Sequence, residues 1–188
     1  PGFSLKLTYS GTPIVFSLLK EFKSSKLISA PALNAVLRSS IDHNYRVNAG
    51  KGHGQFKGII TGGKDSKFGI PKEDIVKAYK AAKSFGVKRF GLQCHAGSST
   101  LDADTFSDIT EQILKSAREV EDSLERKLEK ISIGSGFGIP YRDEEKPLNL
   151  QKLFKNINLV FKGYYGDDNK NWPTLCIEPG RILVADAG

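Results

Sequence analysis

The sequence predicts an α/β fold with a parallel sheet and, within that class, an incomplete (β/α)8 barrel. Six short runs with the character of strands alternate with longer segments of helical periodicity, which is the order of a parallel α/β protein. His95, Gly134 and Glu178 each follow the carboxyl-terminal end of a different predicted strand. A barrel builds its active site from the loops at that end of its strands, whereas a doubly wound sheet concentrates the site at one switch point.

The length of the chain predicts how much of a barrel it holds. A complete barrel needs about 250 residues, or about 31 for each strand and helix, so a chain of this length supplies about six units. We therefore expect one incomplete domain over residues 1–188, made of units three to eight, because six parallel strands cannot close an eight-stranded barrel. The sequence holds no Met and starts at Pro1, from which we expect a fragment of a longer protein.

Three strands and two helices are predicted in the first part of the chain. The strands are at 5–9, 27–29 and 45–48, and the first alternates in polarity as a half-buried strand does. The helices are at 14–22 and after Pro31, a residue that suits the first turn of a helix. A glycine-rich stretch then runs from Gly50 to Gly63.

The second part of the chain carries stronger helical periodicity. Apolar residues three and four apart predict a helix from Pro71 to Phe85, with Gly86 as its C-cap, and a longer one from Asp102 to Leu124. A third helix is predicted at 150–164, and strands are predicted at 87–94, 130–133 and 174–177.

Composition argues against several classes of function. Lys and Arg outnumber Asp and Glu by 28 to 21, but the basic residues are scattered, which is typical of solvated helix faces rather than of a nucleic-acid surface. No apolar run is long enough for a membrane span, and Pro1 opens no signal peptide. Cys94 and Cys176 lie in apolar runs and share no metal-ligand spacing with the three histidines. We therefore expect reduced thiols in the cytoplasm and no metal site.

Two of the loops after predicted strands suit an anion or a flat ligand. Gly134-Ser135-Gly136-Phe137-Gly138 can expose backbone N–H groups to a phosphate, although Ile139 replaces the last glycine of a dinucleotide-binding fingerprint. A tight structural turn is the alternative. His95 can act as an acid or base or stack on a ring, and a hydroxyl after it can bind phosphate. The alternative is a partly buried His followed by a serine that caps the next helix.

The segment Glu178-Pro179-Gly180-Arg181 is a sharper signal. A carboxylate at the end of an apolar strand is costly unless it is paired or hydrogen-bonded, and a ligand cation is a suitable partner. The Gly and Arg that follow offer a backbone donor and a guanidinium to an anion. Pairing of Glu178 with Arg181 inside the scaffold is the alternative, and for Arg46 a structural salt bridge is the default interpretation.

Together these motifs resemble the fold-type III pyridoxal-phosphate decarboxylases, above all the diaminopimelate decarboxylases. Residues 46–50 (RVNAG) resemble the family's R-I-N-P-G strand, and residues 61–70 (TGGKDSKFGI) are similar to its T-G-G-x-x-S-K-F-G-I segment. Residues 95–98 resemble H-I-G-S, residues 133–139 resemble I-G-G-G-F-G-I, and residues 178–181 match E-P-G-R. Five motifs occur in the family's order over nearly the whole chain. The resemblance implies an alanine-racemase-like barrel and the cofactor pyridoxal 5′-phosphate.

The resemblance also implies a role for each matching residue. His95 would stack on the pyridine ring and Glu178 would pair with the pyridinium nitrogen, which makes them the two catalytic residues. Ser98, the glycine loop and Gly180 would hold the phosphate, and Arg181 would bind the phosphate or a carboxylate of the substrate. Arg46 would support the pocket. The implied cofactor-binding residues are Arg46, His95, Ser98, Gly134, Ser135, Gly136, Glu178, Pro179, Gly180 and Arg181.

The implied activity is decarboxylation of meso-2,6-diaminopimelate to L-lysine and CO2, in a cytoplasmic homodimer. A polyamine-pathway decarboxylase acting on ornithine, arginine or carboxynorspermidine is one alternative, and a non-catalytic pyridoxal-phosphate-binding module is another. Ser132 and Ser135 replace an Asp and a Gly of the family pattern, and Asp186 stands where Asn is common. The family's cofactor-binding lysine motif (Y-x-x-K-A-N) and its C-terminal β-domain have no counterpart here. We therefore expect the 188-residue chain alone to be inactive.

Overall fold

The computed structural model describes residues 43–48, 53–54 and 68–185. The strands predicted at 5–9 and 27–29, the helices predicted at 14–22 and after Pro31, and most of the glycine-rich stretch lie outside the described residues. The same holds for residues 49–50 and 61–67 of the two amino-terminal motifs, and for Asp186.

Four strands form a parallel sheet, and two shorter strands pair beside it. In chain order the strands are β1 (His43–Arg46), β2 (His53–Gly54), β3 (Phe90–Gln93), β4 (Gly97–Ser98), β5 (Lys130–Ser132) and β6 (Thr174–Cys176). The larger sheet has the order β1-β3-β5-β6, and β2 pairs with β4. All of these pairings are parallel. The predicted parallel α/β class is therefore confirmed.

The register of the larger sheet brings apolar residues side by side. Tyr45 of β1 lies next to Leu92 of β3, Leu92 next to Ile131 of β5, and Ile131 next to Leu175 of β6. The four strands of this sheet lie side by side in the order in which they occur along the chain. A doubly wound sheet reverses its strand order at the switch point, and these four strands contain no such reversal.

The helices agree with the periodicity of the sequence. They are α1 (Lys72–Ser84), α2 (Ala103–Leu124), α3 (Leu150–Tyr165) and a single turn, α4 (Arg181–Val184), with a short 3₁₀ helix at Asn169–Asn171. The predicted bounds of the first three helices are each within one residue of these limits. Sequence patterns did not predict β2, β4 or α4, because segments of two to four residues are too short to show a repeated pattern.

Local side chains and one glycine fix the helix ends. The carboxylate of Asp102 accepts hydrogen bonds from the backbone N–H of Asp104 and of Thr105, both at 3.1 Å, and so caps α2. At the end of α1, Gly86 has a φ of +91°, and the N–H of Val87 donates to the carbonyl of Ala82 at 3.2 Å. This is a Schellman ending, in which the residue after the cap adopts a left-handed conformation that glycine reaches without strain.

The core lies between the larger sheet and the three long helices. Leu92 and Ile131 are completely buried in the central strands, and Phe106 and Ile113 of α2 are equally buried. The helix α2 packs between α1 and α3, so the helices follow each other in the same order as the strands. The strand predicted at 87–94 is shorter in the structure, because only Phe90–Gln93 pairs with neighbouring strands. Among the described residues, no helix has the length and apolarity that crossing a membrane would require.

Candidate active site at the carboxyl edge of the sheet

The carboxyl-terminal ends of the four parallel strands meet at one edge of the sheet, and the predicted site residues follow them directly. Backbone hydrogen bonds continue past the strands: the N–H of Ile133 donates to the carbonyl of Cys176 at 3.2 Å. The N–H of Glu178 donates to the carbonyl of Gly134 at 2.8 Å. The loops after β3, β5 and β6, which carry His95, Gly134 and Glu178, are therefore brought together at this edge.

The glycine loop, residues 134–138, packs backbone to backbone against the loop that follows β3. Gly134 has a φ of +75° and Gly136 a φ of +108°. A Cβ on Gly134 would lie 2.3 Å from the carbonyl oxygen of Cys94, and one on Gly136 would lie 2.3 Å from the carbonyl group of Gly97. Both positions require glycine, because any side chain would overlap fixed backbone. The loop is thus a close-packed turn in its own right, whatever it binds.

The same loop presents two backbone donors that no described residue accepts. Among the described residues, none accepts a hydrogen bond from the N–H of Ser135 or of Gly136. By contrast, the N–H of Gly134 donates to Oγ of Ser132 at 3.1 Å, and that of Gly138 donates to the carbonyl of Thr100 at 2.9 Å. Two adjacent amides that donate to nothing in the described part of the chain form the kind of concavity that binds a phosphate oxygen. The turn and the phosphate interpretations of this motif are therefore compatible.

The carboxylate of Glu178 is held by two side chains from neighbouring strand ends. Nε2 of Gln93 lies 3.1 Å from Oε1 and 3.0 Å from Oε2, and Oγ of Ser132 donates to Oε1 at 2.8 Å. Neither residue was among the predicted site residues, although Ser132 was noted as a departure from the family pattern. The signal for Gln93 was a polar residue at the last position of an otherwise apolar strand.

His95 and Arg46 lie at the same edge. A Cβ on Gly134 would lie 3.2 Å from Nδ1 of His95, so the imidazole stands beside the start of the glycine loop. Nη2 of Arg46 donates to the carbonyl oxygen of His95 at 3.4 Å, and the guanidinium lies 5.2 Å from the centre of the Phe68 ring. Arg46 therefore supports the loop that carries His95.

Burial and a neighbouring positive charge disfavour the protonated form of His95. Burial lowers the pKa of His95 below its usual value, and the positive charge of Arg46 lowers it further, while Glu178 opposes both. The pKa of Arg46 is itself lowered by burial. Burial raises the pKa of the neighbouring Cys94 thiol to about 12, so this cysteine is neither a nucleophile nor an acid at neutral pH.

Arg181 contacts partners that the sequence did not reveal. Its Nη1 donates to Oγ of Ser99 and, at 2.6 Å, to the hydroxyl of Tyr141, whose ring centre lies 5.8 Å from the guanidinium carbon. These contacts hold the guanidinium near the end of the glycine loop, in place of the pairing with Glu178 considered as the alternative.

The three remaining predicted residues occupy less defined positions. Ser98 is half-buried in β4, beside Gly54 of β2. Pro179 and Gly180 connect Glu178 to α4, and a Cβ on Gly180 would meet nothing within 4 Å. The geometry gives these residues no contact that singles them out.

Comparison with known proteins identifies the family. The model of the pyridoxal binding domain of pyridoxal-dependent decarboxylases matches residues 32–185, which include the whole edge described above. The chain belongs to this family. Its cofactor is pyridoxal phosphate.

The similar proteins include diaminopimelate decarboxylases from several organisms. The enzyme of Methanothermobacter thermautotrophicus is 33% identical over 155 residues, which cover 82% of this chain and 36% of that protein. The chain thus spans about a third of the length of the relatives it matches. The solved structure of the Helicobacter pylori enzyme complexed with L-lysine has a TM-score of 0.68 at 22% identity, over 82% of this chain and 38% of that one. For the Methanocaldococcus jannaschii enzyme the TM-score is 0.66 at 25% identity, over 83% and 37%.

The residues at the edge fit this cofactor on their own geometry. The two amides of Ser135 and Gly136 suit a phosphate, and the carboxylate of Glu178 suits a protonated ring nitrogen. The imidazole of His95 suits a flat aromatic ring. Three groups on adjacent loops are therefore each chemically suited to a different part of this ligand.

Proposed function

We propose that this chain is the cofactor-binding part of a decarboxylase that converts meso-2,6-diaminopimelate to L-lysine and CO2. Support for the substrate comes from the identity to diaminopimelate decarboxylases over most of the chain. Support for the chemistry comes from one observation above all. The hydrogen-bonded carboxylate of Glu178 and the unused amides of the glycine loop share one edge of the sheet.

We also propose that the sheet is part of a (β/α)8 barrel, covering about units three to eight of a domain that spans residues 1–188. The unreversed strand order and the matching order of the helices support this, because a barrel is wound in one direction. A doubly wound sheet would place helices on both faces and reverse its strand order.

The protein's own residues would bind and orient the reacting groups. Pyridoxal phosphate, when bound, supplies the electron sink that accepts the bonding electrons as CO2 leaves. The N–H groups of Ser135 and Gly136 would donate to its phosphate, with Ser98 and Gly180 beside them. The carboxylate of Glu178 would accept the N–H of the ring nitrogen and so keep that nitrogen protonated. His95 would lie against the face of the ring, and Arg46 would fix the His95 loop from behind.

Arg181 would receive an anionic group at the rim of the site. Ser99 and Tyr141 hold its guanidinium through Nη1, which leaves further N–H donors of the fork for another acceptor. Two anionic groups suit such a guanidinium: the phosphate of the cofactor, and the distal carboxylate of a substrate that carries a carboxylate at each end. A contact of Arg181 with the distal carboxylate would favour diaminopimelate over ornithine, which has no such group, whereas a contact with the phosphate would not distinguish the two substrates.

The partners we propose are a small amino-acid substrate and a second copy of the whole protein, with neither nucleic acid nor membrane involved. The location we propose is the cytoplasm. Cys94 and Cys176 are both buried free thiols, which supports a reducing compartment.

The test is to measure CO2 release and amine product from purified whole protein with pyridoxal phosphate. The competing substrates are meso-2,6-diaminopimelate, ornithine, arginine and carboxynorspermidine. We expect L-lysine from diaminopimelate and no comparable turnover of the others. Turnover of a polyamine precursor would replace the proposed substrate, and cofactor binding without any turnover would indicate a non-catalytic module.

For the 188-residue chain by itself we propose cofactor binding without decarboxylation. No segment of it resembles the family's cofactor-binding lysine motif, and covalent catalysis needs a positioned amine. The same CO2 assay on the isolated chain checks this. Appreciable release would contradict it.

A further inference from the structure

Gln93 and Ser132 both direct donors at the carboxylate of Glu178, and they come from two different strands. Gln93 is the last residue of β3, and its Nε2 lies 3.1 and 3.0 Å from the two carboxylate oxygens. Ser132 is the last residue of β5, is 4% exposed, and donates to Oε1 at 2.8 Å. A carboxylate with three such contacts has a fixed orientation.

Ser132 makes a second contact that Gln93 does not make. Its Oγ also accepts the N–H of Gly134 at 3.1 Å, while the carbonyl of Gly134 accepts the N–H of Glu178 at 2.8 Å. These bonds form a closed ring through Glu178, Ser132 and Gly134. The hydroxyl therefore connects the carboxylate directly to the first residue of the glycine loop.

We infer that Gln93 and Ser132 are positioning residues for the cofactor, and that Gln93 affects one end of the ligand whereas Ser132 affects both ends. Gln93 orients Glu178 toward the ring nitrogen and acts at that end of the ligand alone. Ser132 orients Glu178 and also fixes Gly134, so it couples the nitrogen end of the ligand to the phosphate end. This rests on the proposed function, since it assumes that Glu178 faces the ring nitrogen.

The physical reason is preorganisation. Without its donors, a half-buried carboxylate can rotate about its side-chain bonds, and a ligand must then restrict that rotation on binding. Groups behind a binding residue commonly tune it in this way without touching the ligand. Loss of the Gln93 donor should therefore weaken only those ligands that contact Glu178.

The test uses two ligands that carry no aldehyde and so cannot react with lysines. One is 4′-deoxypyridoxine 5′-phosphate, and the other is its analogue in which a carbon replaces the ring nitrogen. The ratio of their dissociation constants measures the nitrogen contact, and the affinity of the carbon analogue measures the phosphate contact. Both are measured by calorimetry on the wild-type protein and on Gln93→Met, Ser132→Ala and Gln151→Met. Gln151→Met is the matched control, because Gln151 is exposed on α3.

We expect the wild-type protein to prefer the nitrogen ligand. Gln93→Met should lower that preference about tenfold, the effect of one hydrogen bond to a charged group, and leave the carbon analogue unchanged. Ser132→Ala should lower the preference and also weaken the carbon analogue about tenfold, because Gly134 loses its acceptor. Gln151→Met should change neither. Far-UV circular dichroism checks that each variant is folded.

Different outcomes would contradict the proposed function and the positioning role. If the wild-type protein binds neither ligand, the proposed function is wrong. If it binds both but Gln93→Met keeps the full preference for the nitrogen ligand, the positioning role is wrong and the proposed function stands. Equal loss of both ligands in Gln93→Met would indicate a merely structural role, which also overturns the inference.

Discussion

Two carboxylates, Glu121 and Glu178, lie at opposite edges of the sheet and are used differently. Glu121 near the end of α2 is 5% exposed, and its Oε1 accepts the N–H of Leu128, two residues before β5. The hydroxyl of Tyr165 also reaches it, at 3.4 Å. Burial raises the pKa of Glu121, against the opposing effect of the Leu128 hydrogen bond. These contacts of Glu121 join α2 to the segment before β5 and to α3, so they stabilise the fold.

Glu178 is held by scaffold donors as well, but it lies beside two amides that donate to none of the residues that the structure describes. Its partners Gln93 and Ser132 approach from strand ends, and the two amides are the N–H groups of Ser135 and Gly136 in the neighbouring loop. A glutamate thus stabilises the fold at one edge of the sheet, and at the other edge we propose that a glutamate serves a ligand site. The difference predicts that substitutions at the two edges separate stability from binding.

The largest effect is expected from Gly136→Ala, which should impair both properties. The new Cβ would lie 2.3 Å from the Gly97 carbonyl at a φ of +108°, so the two loops must separate. We expect a loss of about 3 kcal/mol in the free energy of unfolding, with loss of phosphate-ligand binding. Urea unfolding and calorimetry measure the two quantities.

The matched control is Gly163→Ala on α3, where a Cβ would meet nothing within 4 Å. This change should stabilise the protein by about 1 kcal/mol, because alanine is the better helix former. Equal stability of Gly136→Ala and the wild-type protein would contradict the close packing of the two loops.

Glu178→Gln should separate the decarboxylation rate from cofactor binding. In the whole enzyme we expect the cofactor to stay bound, because the phosphate donors are untouched, while the decarboxylation rate falls about a hundredfold. The neutral amide cannot stabilise a positively charged ring nitrogen. To check this prediction, the steady-state rate of CO2 release is measured and divided by the amount of bound cofactor, which is determined from its absorbance. Near-normal turnover would remove Glu178 from its proposed role.

Glu121→Ala should lower stability and leave ligand binding intact. It leaves the buried N–H of Leu128 without an acceptor, which we expect to cost about 2 kcal/mol of stability with no change in ligand affinity. Glu111→Ala is the control, since Glu111 forms an exposed ion pair with Lys115 on the same helix and should cost less than about 0.5 kcal/mol. A drop in ligand affinity for Glu121→Ala would show that the two edges are not independent.

The smallest effect concerns the pH dependence of stability. Because the pKa of His95 is lowered in the folded protein, the unfolded chain takes up a proton first as the pH falls. The contribution of His95 is present above its unfolded pKa and is lost as the pH falls through the folded pKa. Between about pH 8 and pH 5, the stability of His95→Gln should therefore fall less steeply than that of the wild-type protein. Identical slopes in urea unfolding would contradict the burial of the imidazole, since all other histidines are common to both proteins.

The sequence was sufficient for the helices and for the residues that follow the strands. Apolar spacing predicted α2 to within one residue, because its buried face repeats over twenty-two residues and Asp102 caps its start. Strand lengths were less predictable, since pairing with neighbours decides where Phe90–Gln93 begins and ends.

The contacts behind the site were beyond the reach of sequence patterns. Ser132 and Gln93 are separated by 39 positions along the chain and meet only because β3 and β5 are paired in register. Likewise, the contact of Arg181 with Tyr141 joins the first residue of α4 to a distant loop, and no local motif connects them. Cross-strand partners of this kind depend on register, which a single sequence does not encode locally.

The most direct test of the central claim is to locate the ligand by amide chemical shifts. The ¹⁵N-labelled protein is titrated with 4′-deoxypyridoxine 5′-phosphate, and the amide signals of the two edges are compared. The account predicts the largest shifts at Ser135 and Gly136, whose N–H groups would donate to the phosphate, and none at Leu128, whose N–H is already bound to Glu121. Shifts centred on Leu128, or saturable binding that leaves Ser135 and Gly136 unmoved, would contradict a cofactor site at the carboxyl edge of the sheet.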